Sequence, residues 1–340
     1  MFSHLRTNKN KAKEKAFFLK NGAAVLEQLI IYFNGDCNPI RTFSVGELIT
    51  ATNNFQKEIH WDSSYSMYKG IHEDREISVK MFKENSIYQD NHSEKIANEV
   101  AVASKMSNHK NVLKLLGCCL ETELPILVYE FPEKGNLWRC MLSQQLPWES
   151  KLRIAGEIAN AVAYLHHGLP KVIIHRDIKL RNIFLDKNDI PKLSEFRIAL
   201  PIPEGETHVD AEIFGTIWSV APEAGNNGRY TEKCDVYSFG VMFCELLTGK
   251  RSFDLLHRAS NFSERSSSLS EDESGCYWPG KNLCSCCTSY LEANLLGEEN
   301  SALVMECTKL FQSCLKESPH DRPNMIQVAQ ALRLINSINS

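Results

Sequence analysis

Hydrophobic positions change their period along the chain. Phe18, Val25, Leu29 and Phe33 recur at spacings of seven, four and four, which draws an apolar stripe down one face of a helix. Asn21-Gly22 falls inside that run and is an expected break, because glycine favours a helix end. Residues 61–82 then hold short runs rich in Tyr, Ile and Val between polar breaks, the mark of strands. "EKIANEVAVASKM" (94–106) returns to helical spacing, with Ile96, Val100 and Ala103 on one face. "VLKLLGCCLE" and "PILVYEF" read as two buried strands. From residue 149 the pattern is helical again, with Leu152, Ala155, Ile158, Ala159 and Val162 on one stripe, until Gly168 and Pro170 stop it. The expected class is therefore α+β: a small strand-rich lobe, then a larger helical one.

Polar stretches set the boundaries. Residues 1–20 carry six basic side chains and a single acid, which reads as a solvated arm. With the stripe it makes an extension over 1–54, followed by a main domain over 55–336 that divides into 55–130 and 131–336. The stripe has two open readings: a helix packed on its own domain, or one that docks a partner. "SNFSERSSSLSEDESG" leads into Cys276, Cys284, Cys286 and Cys287, so 253–296 is expected to be an atypical Ser/Cys-rich loop. These cysteines do not form the paired C-x-x-C spacing of a zinc site, and free thiols are expected.

Composition narrows the class. A chain of 340 residues, 43% hydrophobic, suits one large domain or two lobes. A net charge of −4 gives no reason to expect nucleic acid or an acidic membrane as partner. The polar, basic N-terminus is no secretory signal, Phe2 removes the myristoylation pattern, and no stretch is expected to approach the apolar length of a membrane span. The twelve cysteines are then expected reduced, in a cytoplasmic protein, and the Asn91 and Asn261 sequons carry little meaning.

The candidate chemistry is phosphoryl transfer, which needs gripped phosphates, placed magnesium and an aligned hydroxyl. "HRDIKLRN" (175–182) supplies Asp177 to orient a hydroxyl, Lys179 to offset charge and Asn182 as a metal ligand. "ISVK" supplies Lys80 for the phosphates, and Glu99 in "NEVAV" is placed to hold it. With "APE" (221–223), "DVYSFG" (235–240) and "DRP" (321–323), the chain resembles the eukaryotic protein kinase fold over roughly residues 55–336. The resemblance implies a buried Glu223–Arg322 pair and an Asp235 that holds the catalytic-loop backbone. It also implies an ATP site at Lys80, Glu99, Glu130 and Asn182.

Against that pattern the chain departs at critical points. "IHWDSSYSMYKG" (59–70) puts His60, Asp62 and Tyr65 where the family has glycines, whose lack of a Cβ lets backbone N–H groups approach the phosphates. Asp-Phe-Gly is replaced by Glu195-Phe196-Arg197. Glu195 is a doubtful magnesium ligand, and Arg197 is positioned to pair with it and take the metal's place. By resemblance the adenine would meet Met67, Ser78 and Phe184. A combined loss of about 4–6 kcal/mol at the transition state lowers the rate by roughly 10³–10⁴. The chain thus reads as a pseudokinase in which Asp177 and Lys179 are idle and no cofactor is required, ATP and Mg²⁺ binding weakly at best. Lys80 and Glu99 would then serve structure as a partly exposed pair.

"IRTFSVGELITATNNF" (40–55) resembles the segment before the kinase domain of plant receptor-like kinases, and "LVYEF", "LLGCCLE" and "RPNMIQVAQ" resemble the wall-associated branch. The block "FLKNGAAVLEQLI…FNGDCNPIR", joined to the degraded loops, is similar to the ZED-related pseudokinases among plant receptor-like cytoplasmic kinases. That resemblance implies an adaptor or decoy in innate immunity. Its partners would be a coiled-coil NLR receptor, other receptor-like cytoplasmic kinases and bacterial effectors. Phe18, Val25, Leu29 and Phe33 are the candidate docking residues, and the expected location is the cytoplasm, peripheral to the plasma membrane through partners. The alternative function is a slow Ser/Thr kinase using Lys80, Asp177 and Glu195. In the segment 195–223, Thr207 and Thr216 are candidate phosphoacceptors, and Glu204, Glu206 or Glu212 would meet Arg176 in place of a phosphate.

Overall fold

The computed structural model describes residues 8–36, 38–83, 92–143, 146–255, 280–295 and 301–338. Arg6, Asn91, Asn261 and Cys276 lie outside them. The chain forms two units, Met1–Gly135 with Phe184–Ala199, and Asn136–Ile183 with Leu200–Ser340.

In the first unit, helix α1 (Asn8–Phe33) is followed by strand β1 (Arg41–Thr42), helix α2 (Val45–Ala51), strands β2 (Glu58–Trp61), β3 (Tyr65–His72) and β4 (Arg75–Phe82), helix α3 (His92–Met106), and strands β5 (Leu115–Cys119) and β6 (Ile126–Glu130). The six strands form one sheet in the order β1-β5-β6-β4-β3-β2. Glu73 and Asp74, at φ of 49° and 59°, close the β3–β4 hairpin in the left-handed geometry that matches strand twist. β1 runs parallel to β5 at the sheet edge, and Gly117 permits it: a Cβ there would stand 2.0 Å from the Arg41 carbonyl oxygen. Ser44 and Glu47 form a capping box that starts α2. Phe43 and Leu48 thereby join Ile77, Val79, Cys119, Ile126 and Val128 in one core. The segment 40–55 is thus integral to the sheet.

Helix α1 runs unbroken through Asn21-Gly22, which corrects the expected split. The Asn21 amide donates to the Leu120 and Thr122 carbonyls at 3.0 and 2.8 Å, so it does not compete for its own helix backbone. Tyr32 donates its hydroxyl proton to the Ala199 carbonyl at 2.6 Å. The apolar stripe divides: Val25 and Phe33 are buried, Leu29 is half-buried, and Phe18 is exposed. A second apolar row, Leu19, Leu26 and Ile30, faces outward, each more than half exposed at 62%, 55% and 54%. Lys11–Phe33 holds an 18-residue window of mean hydropathy 1.2, long and apolar enough by length and composition to cross a membrane. This corrects the reading that no stretch approaches that length; Lys20 and Glu27 within it had masked the run.

The second unit is helical: α4 (Leu137–Ser143), α5 (Trp148–His167), α6 (Pro222–Asn227), α7 (Glu232–Thr248), α8 (Gly280–Leu295), α9 (Ser301–Cys314) and α10 (Met325–Ile338). Leu152, Ala155, Ile158, Ala159 and Val162 of α5 are fully buried, and α5 ends where the Gly168 N–H donates to the Tyr164 carbonyl. Arg322 binds Glu223 through two bonds of 2.6 and 2.8 Å. Asp235 accepts the backbone N–H groups of His175 and Arg176 at 2.8 and 2.9 Å and pairs with His166 at 2.8 Å. Burial opposes charge on Asp235, but His166 and these N–H groups outweigh it and hold the carboxyl below its ordinary value.

One expectation fails here. Residues 280–295 are helical, not loop: Leu283, Cys287 and Leu291 recur every four residues and are fully buried. Cys287 lies against Cys244 of α7, with Cα atoms 6.4 Å apart. The two lie 43 positions apart, a contact that sequence spacing does not reveal.

Candidate functional site

On the first unit, β4 carries Lys80 and α3 carries Glu99. The Lys80 ammonium donates to both Glu99 oxygens at 2.7 and 3.0 Å. It also pairs with Glu195 Oε1. Glu195 Oε2 accepts from Arg197 Nη2 and Nε at 2.7 and 3.1 Å, and Arg197 Nε stands 3.7 Å from Glu99 Oε2. Two cations and two carboxylates thus close on one another, and none of the four side chains is more than 7% exposed. The Lys80–Glu99 pair is buried, which corrects the expectation of partial exposure.

Aromatic rings and the buried carboxylates fix the electrostatics. Lys80 Nζ lies 4.3 Å from the Tyr65 ring centroid and 4.9 Å from that of Phe82; Arg197 Cζ lies 5.4 and 5.2 Å from the same rings. The Tyr129 hydroxyl donates to Glu99 Oε1 at 2.6 Å. Burial opposes charge on Glu195, but Arg197 and Lys80 outweigh it and hold that carboxyl below the usual range. Glu99 goes the other way: burial, with the neighbouring Glu195 charge, raises it against the pull of Lys80 and Arg197. Glu195 sits at φ 71°, a left-handed backbone that its surroundings must enforce. Asn98 does much of that. Its amide lies 3.0, 3.1 and 3.0 Å from the carbonyls of Phe196, Arg197 and Ala199.

The stretch 59–70 forms a tight hairpin instead of a phosphate cradle. Asp62 Oδ1 accepts the N–H groups of Ser64 and Tyr65 at 2.6 and 2.9 Å, so the turn's donors are taken by the chain's own carboxylate. Lys83 donates to the Asp62 carbonyl at 2.5 Å. His60 packs between Tyr65 and Phe184, at 5.4 and 5.8 Å. Met67, Ser78 and Phe184 are buried, and the Ser78 hydroxyl donates to the Glu130 carbonyl at 3.0 Å. The Glu130 carboxylate accepts from the Lys114 N–H and pairs with Lys192 at 3.3 Å.

On the second unit the catalytic loop is assembled. Lys179 Nζ is 2.7 Å from Asp177 Oδ2 and donates to the Thr216 hydroxyl at 3.1 Å, which in turn donates to Asp177 Oδ1 at 3.1 Å. The Asn182 amide donates to the Asp177 carbonyl and carboxylate, both at 2.8 Å. Thr216 is therefore a part of this loop's bonding; Thr207 is exposed. Arg176, at φ 70°, stacks 4.0 Å over Tyr230 and donates to the Glu212 backbone carbonyl. Of the three expected residues Glu212 is thus in contact with Arg176, through its backbone carbonyl. Beside Lys179 and Thr216 lies a cavity of ≈ 400 Å³ walled by Trp138, Trp218, Met242 and Phe253, with Arg181 and Glu245 at its polar side.

The structure therefore brings Lys80, Glu99 and Glu195 together, and separately Asp177, Lys179 and Asn182. It adds three residues that the sequence reading missed: Asn98, Tyr129 and Tyr32. Asn98 was the detectable one, a polar residue among Ile96, Ala97 and Val100 on an apolar helix.

Comparison with known proteins agrees. The protein kinase domain profile matches residues 63–332. Serine/threonine-protein kinase ZRK1 of Arabidopsis thaliana is 37% identical, over 97% of this chain and 95% of its own length. Non-functional pseudokinase ZRK2 is 37% identical over 98% and 94%. Non-functional pseudokinase ZED1, from the same plant, is 42% identical over 72% and 73%. Carrying the catalytic-loop, APE and DRP residues in their bonded places, the chain belongs to the protein kinase family, among its ZED-related kinases and pseudokinases.

Proposed function

We propose that this protein is a catalytically impaired pseudokinase that acts as an adaptor or decoy for an NLR receptor in plant innate immunity. One observation carries the loss of catalysis: both oxygens of Glu195 are engaged, one by Lys80 and the other by Arg197. A carboxylate so engaged does not fit a magnesium ligand, because the ion needs a free oxygen at about 2.0–2.1 Å. A lysine held by two carboxylates is likewise poorly placed to neutralise phosphates. Asp62 and Tyr65 add to this by replacing a backbone N–H cradle with a self-satisfied turn. ATP and Mg²⁺ are therefore dispensable in this reading. Purified full-length protein should show no phosphate transfer above an Asp177→Asn control. Turnover within tenfold of an ordinary kinase, about 1–100 s⁻¹, and lost in that control, would overturn the reading.

The adaptor role rests on family membership and on helix α1. Val25 and Phe33 serve the helix's own unit, so the docking face is the outward row of Leu19, Leu26 and Ile30, with Phe18 beside it. Burying each such side chain is worth roughly 1.5–3 kcal/mol. Leu26→Glu with Ile30→Glu should weaken receptor binding at least a hundredfold and leave the melting temperature unchanged. Undiminished binding by the double variant would move the interface elsewhere. Partners of this kind place the protein in the cytoplasm.

A second reading, a slow Ser/Thr kinase, is favoured by the intact bonding of Asp177, Lys179 and Thr216. The relative ZRK1 carries the name of a serine/threonine kinase.

A further inference from the structure

A second recess in the first unit lies apart from the charge quartet. It measures ≈ 560 Å³ and opens between the middle of α1, the first turn of α3 and the turn after β5. Among the described residues three carboxylates line it, Glu27, Glu94 and Glu123, against one cation, Lys20. Ala23, Ala24 and Leu124 supply apolar wall between them.

Two buried polar atoms there have no partner. Asn21, 1% exposed, spends its amide hydrogens on the Leu120 and Thr122 carbonyls and leaves Oδ1 unsatisfied. His92, 6% exposed, leaves Nε2 unsatisfied. Burial, with Arg197 and Lys95 nearby, holds His92 below its ordinary value and so neutral, and a neutral imidazole offers one acceptor nitrogen. An unmet buried polar atom costs about 1–3 kcal/mol; Asn21 Oδ1 asks for a donor, and so does His92 Nε2 in the tautomer that carries its proton on Nδ1. The N-terminal end of α3 would favour an anion. Glu94 already sits in that first turn, and three carboxylates against one ammonium outweigh it.

The ligand chemistry that meets these demands is a planar cation with several N–H donors on a short aliphatic stem. We propose that this recess binds the guanidinium of an arginine side chain presented by a partner peptide. The methylene stem would lie on Ala24 and Leu124. The planar fork offers five donors, enough for the rim carboxylates and the two orphaned acceptors together, which a lysine ammonium with three donors does not match.

The test is a titration of isotope-labelled full-length protein with N-acetyl-arginine-methylamide, followed by amide chemical shifts. Shifts at Asn21, His92 and Glu123 with millimolar affinity are expected. The neutral isostere N-acetyl-citrulline-methylamide should bind at least tenfold more weakly. Glu94→Gln with Glu123→Gln, both at exposed positions, should cost the arginine probe at least tenfold, and Ala24→Leu should block it by filling the recess. Equal binding of citrulline, or shifts confined to another surface, would overturn the assignment. Tighter binding of spermidine than of the arginine probe would point to a free polyamine and overturn the peptide reading.

Discussion

Lys80 on the sheet unit and Lys179 on the helical unit each hold a carboxylate at 2.7 Å, yet they stand in different surroundings. The Lys80 side chain is 3% exposed and answers two carboxylates inside a closed quartet; the Lys179 side chain is 28% exposed and shares a loop with Thr216 and Asn182. A buried charge network is unforgiving, because removing one member strands the others without water. A pair whose lysine is partly exposed loses less when that lysine is removed, since solvent already screens it. The same two types of residue therefore act as a structural clasp in one unit and as catalytic-loop wiring in the other.

The largest effect that separates the two is expected from Lys80→Met. It leaves Glu99 and Glu195 facing a single guanidinium and should destabilise the protein by about 3–5 kcal/mol, read from urea unfolding. Lys179→Met should cost about 1 kcal/mol or less in the same assay. Equal costs would erase the distinction.

Restoring the missing motif comes next. Glu195→Asp with Arg197→Gly returns the metal loop to Asp-Phe-Gly but leaves Asp62 and Tyr65 in the hairpin. Phosphate transfer should stay at the Asp177→Asn background. Robust transfer would show that the metal loop alone, and not the hairpin, silences the site.

A pH series sharpens the quartet further. The folded Glu195 carboxyl lies below its ordinary value of 4.5, so its contribution is present above that value and fades as pH falls through the folded one. Glu99 is raised above 4.5, so its contribution is full below that value and fades as pH rises through the folded one. Glu195→Gln should therefore flatten the acid side of the stability curve while the loss on raising pH persists. An unchanged acid limb would remove Glu195 from the account. The smallest effect is expected from Thr216→Val, about 1 kcal/mol for the bonds to Lys179 and Asp177, with no change in the quartet's pH behaviour.

Much of this was legible in the sequence, for identifiable reasons. Runs rich in Tyr, Ile and Val between polar breaks located β3 and β4, and helical spacing located α3 and α5. The catalytic loop and the Glu223–Arg322 pair were legible because their chemistry needs fixed residue types. The Arg197–Glu195 pairing was foreseen from two residues of separation. What escaped depended on distant chain segments meeting. Nothing local told that Lys80 would answer Glu195 as well as Glu99, or that Asn98 would hold the 196–199 backbone. α1 misled for a related reason. Its buried face uses Asn21 and Tyr32, polar groups that bond carbonyls 99 and 167 residues away, while apolar Leu26 and Ile30 turn outward. In α8, the four-residue spacing of Leu283, Cys287 and Leu291 was present but hidden behind the Ser-rich run before it.

The central claim is that the phosphate and metal positions of the sheet unit are filled by the chain's own charges. Thermal unfolding of the full-length protein with and without ATP and magnesium tests it most directly. A ligand at tenfold its Kd would stabilise by about 1.4 kcal/mol, a shift of roughly 2–4 °C for a domain of this size. The account predicts no magnesium-dependent shift at millimolar ATP. A reproducible rise of that size, requiring both ATP and magnesium and lost in Lys80→Met, would contradict it.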